Sequence, residues 1–253
     1  MAAGAADMTH VFIFGSLLDS FGDAISFIFE PQQGPRTAAG KVGGLDQVWA
    51  LLWPQIWLSV LALAIACAIA IPVGVYFGHR GTGELLAVAI GNAGRAIPEL
   101  ILIAFMVAFV GVGVLNVTIA LVVLGIPPIL TNTFVAVRQV DPGAVEAARG
   151  VGMSELDVIR RVELPLSVPT LMSGVRTGAI TIVSTATIAS LAGVSTLGDF
   201  IINRGVYGED GLLAGAILVA MLALAFELGL AGAQRLLTPK GIQVERQIAL
   251  VRT

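Results

Sequence analysis

The sequence contains few charged residues. Of its 253 residues, 12% are Asp, Glu, Lys or Arg, whereas 57% are hydrophobic. Soluble domains typically carry about 25% charged residues, so this chain has too few to cover all of its elements with a water-facing surface. The composition excludes an ordinary soluble domain and indicates an integral membrane protein, for which lipid is the surrounding solvent.

Cysteine and histidine are also scarce. The single cysteine, Cys67, excludes an intramolecular disulfide framework, and its apolar surroundings favour a small buried hydrophobic residue. The two histidines, His10 and His79, stand in unrelated contexts and form no metal-ligand cluster. A net charge of −3 without any basic cluster gives no reason to expect a nucleic-acid partner. We therefore expect neither catalytic residues nor a bound metal.

Long apolar runs occupy most of the chain, and a membrane-spanning helix needs about 20 such residues. They predict an all-α polytopic membrane protein with five core transmembrane helices. Gly111, Gly113 and Asn116 separate the second span from the third, and prolines predict a kink at 98 and a bend at 127 and 128. The spans are expected at about 54–78, 84–110, from that glycine break to 137, 168–192 and 212–236.

The N-terminal segment has two interpretations. Val11–Phe29 is apolar, but polar residues recur along it at helical spacing, at positions 16, 19, 20, 23, 26 and 30. An amphipathic helix at the membrane interface fits this stripe, and a sixth span is the alternative. The chain divides into an N-terminal helix and linker (1–44), a transmembrane domain (45–242) and a tail (243–253).

Lysine and arginine are distributed unequally between the two sides of these spans. One side holds Arg36, Lys41 and Arg204. The other side holds Arg80, Arg138, Arg149, Arg160, Arg161, Arg235, Lys240, Arg246 and Arg252. By the positive-inside rule the second side is cytoplasmic, and the tail lies there too. We expect a multi-pass protein of the bacterial cytoplasmic (inner) membrane.

One segment, residues 138–165, is too charged for the membrane core. A helix is predicted after Pro142, glycines at 150 and 152 permit a turn, and Ser154 is the expected N-cap of a second short helix. Leu164 and Pro165 are expected to end that helix before the next span. The segment is therefore predicted to form a helix-turn-helix across the cytoplasmic face, although a loop that only connects two spans is the simpler alternative.

The spacing within this loop resembles a known motif. Glu146, Ala147 and Ala148 are followed after three residues by Gly152, and Val162 precedes Leu164 and Pro165. This pattern is similar to the EAA loop of bacterial ABC importer permeases, in which the residue at 162 is usually Ile. The resemblance implies a type I importer fold like that of methionine permeases.

The resemblance extends from about 45 to 242 and is closest to osmoprotectant permeases, which import glycine betaine, choline or carnitine. The similar segments are 97–98, 127–133, 185–187, 193–201 and 235–241. The stretch 194–196 and Glu99 depart from that subfamily's usual residues.

The resemblance also implies partners for this chain. A cytoplasmic ABC ATPase dimer would bind ATP and Mg, since no P-loop is present here. A second permease copy or a paralogue would complete the pathway, and an extracytoplasmic binding protein would deliver the solute. In this interpretation the ATPase-coupling residues are Glu146, Ala147, Ala148, Arg149, Gly152, Leu156, Leu164 and Pro165, with Val158 as a further apolar anchor.

Polar residues within the spans are candidates for the translocation pathway. They are Glu99, Asn132, Thr133, Thr185, Thr187 and Ser190. Hydrogen bonds between helices, or back to the preceding helical turn, are an equal alternative for the neutral side chains. For Glu99 the alternatives are neutralisation by Arg95, four residues earlier on the same helix face, or contact with a cationic headgroup in the cavity.

The sequence thus predicts a non-catalytic permease subunit of an ATP-driven importer for a small quaternary-ammonium or zwitterionic solute. A permease for another small solute, such as an amino acid, is the closest alternative. An ion-coupled secondary transporter is disfavoured because the chain shows no internal repeat and would leave the charged loop without a purpose.

Overall fold

The structure is a computed structural model that describes residues 19–35 and 40–239. Within these residues the chain is almost entirely helical. A short antiparallel hairpin, β1 (Pro31–Gln33) and β2 (Lys41–Gly43), is the exception. The helices are α1 (19–29), α2 (Gly44–Arg80), α3 (Glu84–Ala96), α4 (Glu99–Val110), α5 (Val114–Arg138), α6 (Pro142–Gly150), α7 (Glu155–Val158), α8 (Leu164–Ala186), α9 (Gly198–Ile202) and α10 (Arg204–Leu237).

Four helices in the described part of the chain are long and apolar enough to cross a membrane. They are Gly44–Arg80, Val114–Arg138, the continuous helical segment Glu155–Ala192 and Arg204–Leu237. Each contains one of the predicted spans. The helices that contain the first, fourth and fifth predicted spans are longer than expected, whereas α5 closely matches the third. The all-α membrane fold is confirmed.

The second predicted span is not a continuous helix. It is divided into α3 and α4, of 13 and 12 residues, by extended backbone at Ile97 and Pro98. Pro98 disfavours helical geometry at the residue before it and has no N–H to donate, so the break replaces the expected kink. Twelve helical residues extend only about 18 Å, less than the roughly 30 Å hydrocarbon core. The fifth core span therefore stays a prediction.

Helix α5 packs against α2, α3, α4 and α8, and small residues allow the close contacts. A methyl group on Gly74 or Gly78 of α2 would lie 2.8 Å from Cβ of Thr133 or Val137 of α5. On α8, a methyl group on Gly174 would overlap with Cβ of Asn132. The backbones of α2 and α8 therefore approach α5 from two sides, in the manner of small-residue contacts in membrane helices.

The end of the bundle opposite the charged loop is closed by α1, the hairpin and α9. Phe27 of α1 lies edge-on to Phe200 of α9, and Phe200 lies edge-on to Tyr207 of α10. Ala24 and Ile28 of α1 belong to the same buried cluster. The described part of the N-terminal helix thus packs on the bundle and turns its exposed polar residues, including Asp23, outward. Residues 11–18 of the predicted amphipathic helix lie outside the described residues.

Candidate functional site

The charged loop begins with α6, whose start is defined by side-chain capping. Asp141 accepts a hydrogen bond from the backbone N–H of Gly143 at 3.0 Å, and Pro142 occupies the first turn, where it needs no donor. Ala148 is buried, whereas Glu146 and Ala147 are exposed. One face of α6 therefore packs on the protein, and the other presents an acidic residue to water.

The turn after α6 has the geometry that its glycine permits. Gly152 has a φ of +87°, a left-handed conformation that other residues rarely adopt. Ser154 then caps α7, as predicted, because its side chain accepts from the N–H of Asp157 at 3.2 Å. Leu156 is 54% exposed, whereas Val158 is 0% exposed. The expectation that Val158 offers an apolar anchor is wrong, because it faces the core; Val151, which is exposed, lies on the outer surface instead.

The end predicted for the second loop helix is also wrong. Leu164 and Pro165 do not terminate it, since a π-helical turn, Ile159–Glu163, carries α7 directly into α8. A π-turn displaces the hydrogen-bond ladder by one residue, and here it stands just before Pro165, which has no N–H to donate. The second helix of the loop and the following span therefore form one helical segment, 155–192.

A chain of charged side chains connects the loop to α2. Glu155 Oε2 lies 3.0 Å from Arg149 and 3.1 Å from Nε2 of His79, and Nδ1 of His79 lies 2.8 Å from Oε2 of Glu163. The hydrogen bond that Arg149 donates to Glu155 raises the pKa of Arg149 above its usual range. These groups line two cavities at this face, of about 550 and 180 Å³. Sequence reasoning placed Arg149 at this face but missed the roles of His79 and Glu163.

The other end of α8 breaks into a 3₁₀ helix, Thr187–Ala192, and a buried amide holds this break. Gln55 of α2 donates to the carbonyl of Val183 at 3.2 Å and to Oγ1 of Thr187 at 3.3 Å, and it accepts from the N–H of Leu197 at 3.0 Å. Both ends of the Gln55 amide are thus satisfied in a fully buried position. Gln55 was missed in the sequence, although a polar residue inside an apolar run is a usable signal.

Two pathway candidates meet at this break, which we call the α8 break (Thr185, Thr187 and Ser190 with Gln55 and Glu99). Thr185, fully buried, donates to Oε2 of Glu99 at 2.6 Å. Glu99 is the first residue of α4, where the partial positive charge of a helix N-terminus favours a carboxylate. The Arg95 side chain lies outside the described part of the structure, so its predicted pairing with Glu99 stays a prediction.

The remaining pathway candidates bond to their own helices. Asn132 donates to the carbonyl of Pro128 at 2.8 Å, Thr133 to that of Ile129 at 2.7 Å, and Ser190 to that of Thr187 at 3.2 Å. Thr133 is also fully buried against Gly74. The structure thus brings Glu99, Thr185 and Thr187 together and leaves Asn132 and Thr133 on the packed face of α5, which favours a packing role for those two.

One ion pair within the spans was not anticipated. Arg176 of α8 pairs with Glu227 of α10 and donates to Gln234 at 3.1 Å, and Gln234 in turn donates to the carbonyl of Pro169 at 3.2 Å. A charge in each of two neighbouring spans could have been read as a pair, because isolated charges are costly there. This cluster holds α10 against α8.

A family model described as "binding-protein-dependent transport system inner membrane component" matches residues 70–240. The carnitine transport permease protein of Listeria monocytogenes is 37% identical over 77% of this chain and 90% of its own length. The choline transport system permease protein of Bacillus subtilis (strain 168) is 35% identical over 71% of this chain and 83% of its own length.

The osmoprotectant import permease protein of Salmonella typhimurium is 32% identical over 77% of this chain and 93% of its own length. Among solved structures, an inward-facing crystal form of the MetNI methionine ABC transporter aligns with a TM-score of 0.66 at 24% identity, over 76% of this chain and 96% of that one. A chain of an amino acid ABC transporter aligns with a TM-score of 0.56 at 21% identity, over 74% and 92%. The predicted importer fold is therefore confirmed.

Proposed function

The chain belongs to the family of binding-protein-dependent transport system inner membrane components, and we propose that it imports a small quaternary-ammonium or zwitterionic osmoprotectant. As a member, it is a multi-pass subunit of the cytoplasmic membrane and a non-catalytic permease of an ABC importer. It works with a separate ATPase and with a binding protein. The substrate, the docking residues and the composition of the complex are the proposed parts.

The similarity to curated permeases carries the substrate proposal. The relatives are named for carnitine, choline and glycine betaine, and all three molecules carry a trimethylammonium group. At the α8 break this chain places neutral hydroxyls at the C-terminal end of α8 and one carboxylate, Glu99, at the N-terminus of α4. A carboxylate is a suitable partner for a fixed cation. Hydroxyl groups can form hydrogen bonds with a zwitterion that are weak enough for it to leave the site.

The exposed surface of the charged loop supports its role in docking. Glu146, Arg149 and Leu156 are exposed on it, and Gly152 permits the turn between α6 and α7. Two charged side chains beside an apolar one offer both polar and apolar contacts, and a partner protein with complementary charges can use both. We assign this surface to the cytoplasmic ATPase, whose dimer would hold the ATP and Mg that this chain has no P-loop to bind.

The helical segment 155–192 would transmit movement from the docked loop to the membrane span. Because α7 continues through the π-turn into α8, a displacement of the docked loop moves the span with it. Closure of the ATPase dimer on ATP would draw two such loops together and open the pathway outward, and hydrolysis would restore the inward-facing state. A second copy of this chain, or a paralogue, supplies the second loop, and the binding protein delivers solute at the opposite face.

The test is solute uptake by the complete complex in liposomes. The permease, its ATPase and its cognate binding protein are reconstituted, and ATP-dependent uptake of glycine betaine, choline, carnitine and proline betaine is compared with that of methionine. We expect at least one of the four quaternary ammonium compounds to accumulate, and we expect methionine not to accumulate. Accumulation of methionine alone would replace the osmoprotectant with an amino acid, and the absence of ATP-dependent uptake of any solute would refute the import function.

A further inference from the structure

His79, in the last turn of α2, lies between two carboxylates of the charged loop. Its side chain is 10% exposed, and that of Glu163 is 6% exposed. Nδ1 is 2.8 Å from Glu163 and Nε2 is 3.1 Å from Glu155, so both ring nitrogens are at hydrogen-bonding distance from a carboxylate oxygen. Neither His79 nor Glu163 is among the residues that define the EAA spacing.

These two contacts use both nitrogens of the imidazole ring. Glu155 also accepts a hydrogen bond from Arg149. Glu163 is buried, where a carboxyl group left without a hydrogen-bonding partner costs free energy. His79 therefore bridges an exposed carboxyl group of α7 and a buried carboxyl group of the π-turn.

The surroundings of His79 hold this end of α2 in place. The close packing of Gly78 on Val137 brings it against α5. On its own helix, the guanidinium of Arg80 lies 5.4 Å from the ring centre of Tyr76. From the neighbouring elements, Arg138 of α5 and Glu146 and Arg149 of α6 line the same small cavity as His79 and Glu163.

We propose that His79, by bridging Glu155 and Glu163, clamps the charged loop to the cytoplasmic end of α2 and is thereby a positioning residue for transport. The clamp joins α2 to α7 and to the π-turn, so movement of the loop is passed to α2 as well as to α8. This inference rests on the proposed docking of the ATPase on the loop. It predicts that the link between ATP hydrolysis and transport weakens when the imidazole ring is replaced.

The first experiment measures the ring directly and needs no transport. The chain has two histidines, so the His10→Gln variant with ¹⁵N-labelled histidine gives a spectrum of His79 alone. In lipid, we expect Glu163→Gln to change the chemical shifts of the two ring nitrogens, because it alters the group that Nδ1 contacts. Glu84→Gln, which removes an exposed carboxylate from α3, is the matched control and should leave them unchanged. An unchanged His79 spectrum in the Glu163→Gln chain would overturn the clamp.

The second experiment measures transport in the reconstituted complex. We expect His79→Gln to lower the solute transported per ATP hydrolysed roughly tenfold, because it breaks the bridge between the two carboxyl groups. His79→Lys, which keeps several donors on one side chain at this position, should lose less. Equal losses in His79→Gln and His79→Lys would refute the clamp. If wild type shows no ATP-driven uptake, the proposed function fails, and the ¹⁵N measurement still decides the clamp.

Discussion

The charged loop and the α8 break are held together by different chemistry. The loop relies on ionic contacts, such as Arg149 with Glu155 and Arg161 with Asp157 at 3.0 and 3.2 Å. The break relies mainly on neutral groups, chiefly the Gln55 amide with its three hydrogen bonds, and Glu99 is the one carboxylate among its defining residues. Water stabilises separated charges at the cytoplasmic face, whereas at membrane depth an uncharged amide meets the backbone without a desolvation penalty for a full charge.

One helical segment nevertheless connects the two regions. The chain runs from Glu155 in the loop to Ala192 beyond the break without leaving helical geometry, although a π-turn and a 3₁₀ turn interrupt the α-helix. A rigid connection between a charged docking surface and a largely uncharged pathway allows a partner to move the pathway while the solute never meets the docking charges. Substitutions in each region test this division.

The largest effect is expected in the loop turn. Gly152 has a φ of +87°, whereas proline requires a φ near −65°, so Gly152→Pro reshapes the docking surface. Glu146→Lys reverses an exposed charge on the same surface. We expect each variant to lower ATP-driven uptake by about 100-fold or more while membrane insertion is unchanged, measured in liposomes and by membrane fractionation. Normal uptake by either variant would remove the loop from the coupling mechanism.

The next effect is expected at the α8 break. Gln55→Leu leaves the buried N–H of Leu197 without an acceptor, which costs about 1–3 kcal/mol. We expect a lower thermal unfolding temperature and reduced uptake, measured on the purified complex. Gln47→Leu is the control, because Gln47 is only partly buried and bonds to the hairpin at Gly43. If both variants lost equal stability, Gln55 would have no special role in holding the break.

The membrane fold and the motif of the loop could be predicted from the sequence, since hydropathy and fixed spacing are local signals. The break at Ile97 and Pro98 was mistaken for a kink, because a proline alone does not reveal whether neighbouring helices re-satisfy the freed backbone groups. The helix across Leu164 and Pro165 was missed because π-turns have no composition of their own.

The candidate site was predicted less completely than the fold. Glu99 and Thr185 were identified separately, but a contact 86 positions apart in sequence depends on how the helices pack. Gln55 lay inside an apolar run and was overlooked, and His79, at the end of that run, was assigned no role. Their partners, at 128 and 84 positions of separation, could not be read from spacing.

A smaller effect, selective between solutes, is expected at Glu99. Glu99→Gln keeps a hydrogen-bond acceptor for Thr185 but removes the negative charge. We expect uptake of choline, a cation, to fall about tenfold, the equivalent of roughly 1.4 kcal/mol, and uptake of the zwitterion glycine betaine to fall less. Competition between the two solutes in liposomes measures this ratio. Equal losses for the two solutes would show that the charge does not meet the headgroup.

The smallest effect is expected at the cap of α7. Ser154→Ala removes the acceptor for the N–H of Asp157, and loss of an N-cap costs about 1 kcal/mol. We expect a small decrease in unfolding temperature, and uptake within about twofold of wild type because the π-turn still joins the loop to α8. A loss of uptake as large as that expected for Gly152→Pro would show that α7, rather than the loop turn, determines docking.

The most direct measurement of a rigid connection between the loop and the break uses spin labels at two exposed sites, Arg160 and Leu191. Thirty-one helical residues separate them by about 45 Å, which pulsed dipolar spectroscopy can resolve when labelled and unlabelled copies are mixed. On trapping the ATP state, we predict an unchanged distance within one chain, while Arg160 labels on the two copies of a permease dimer move closer together. A distance within one chain that changes as much as the distance between copies would contradict the rigid connection.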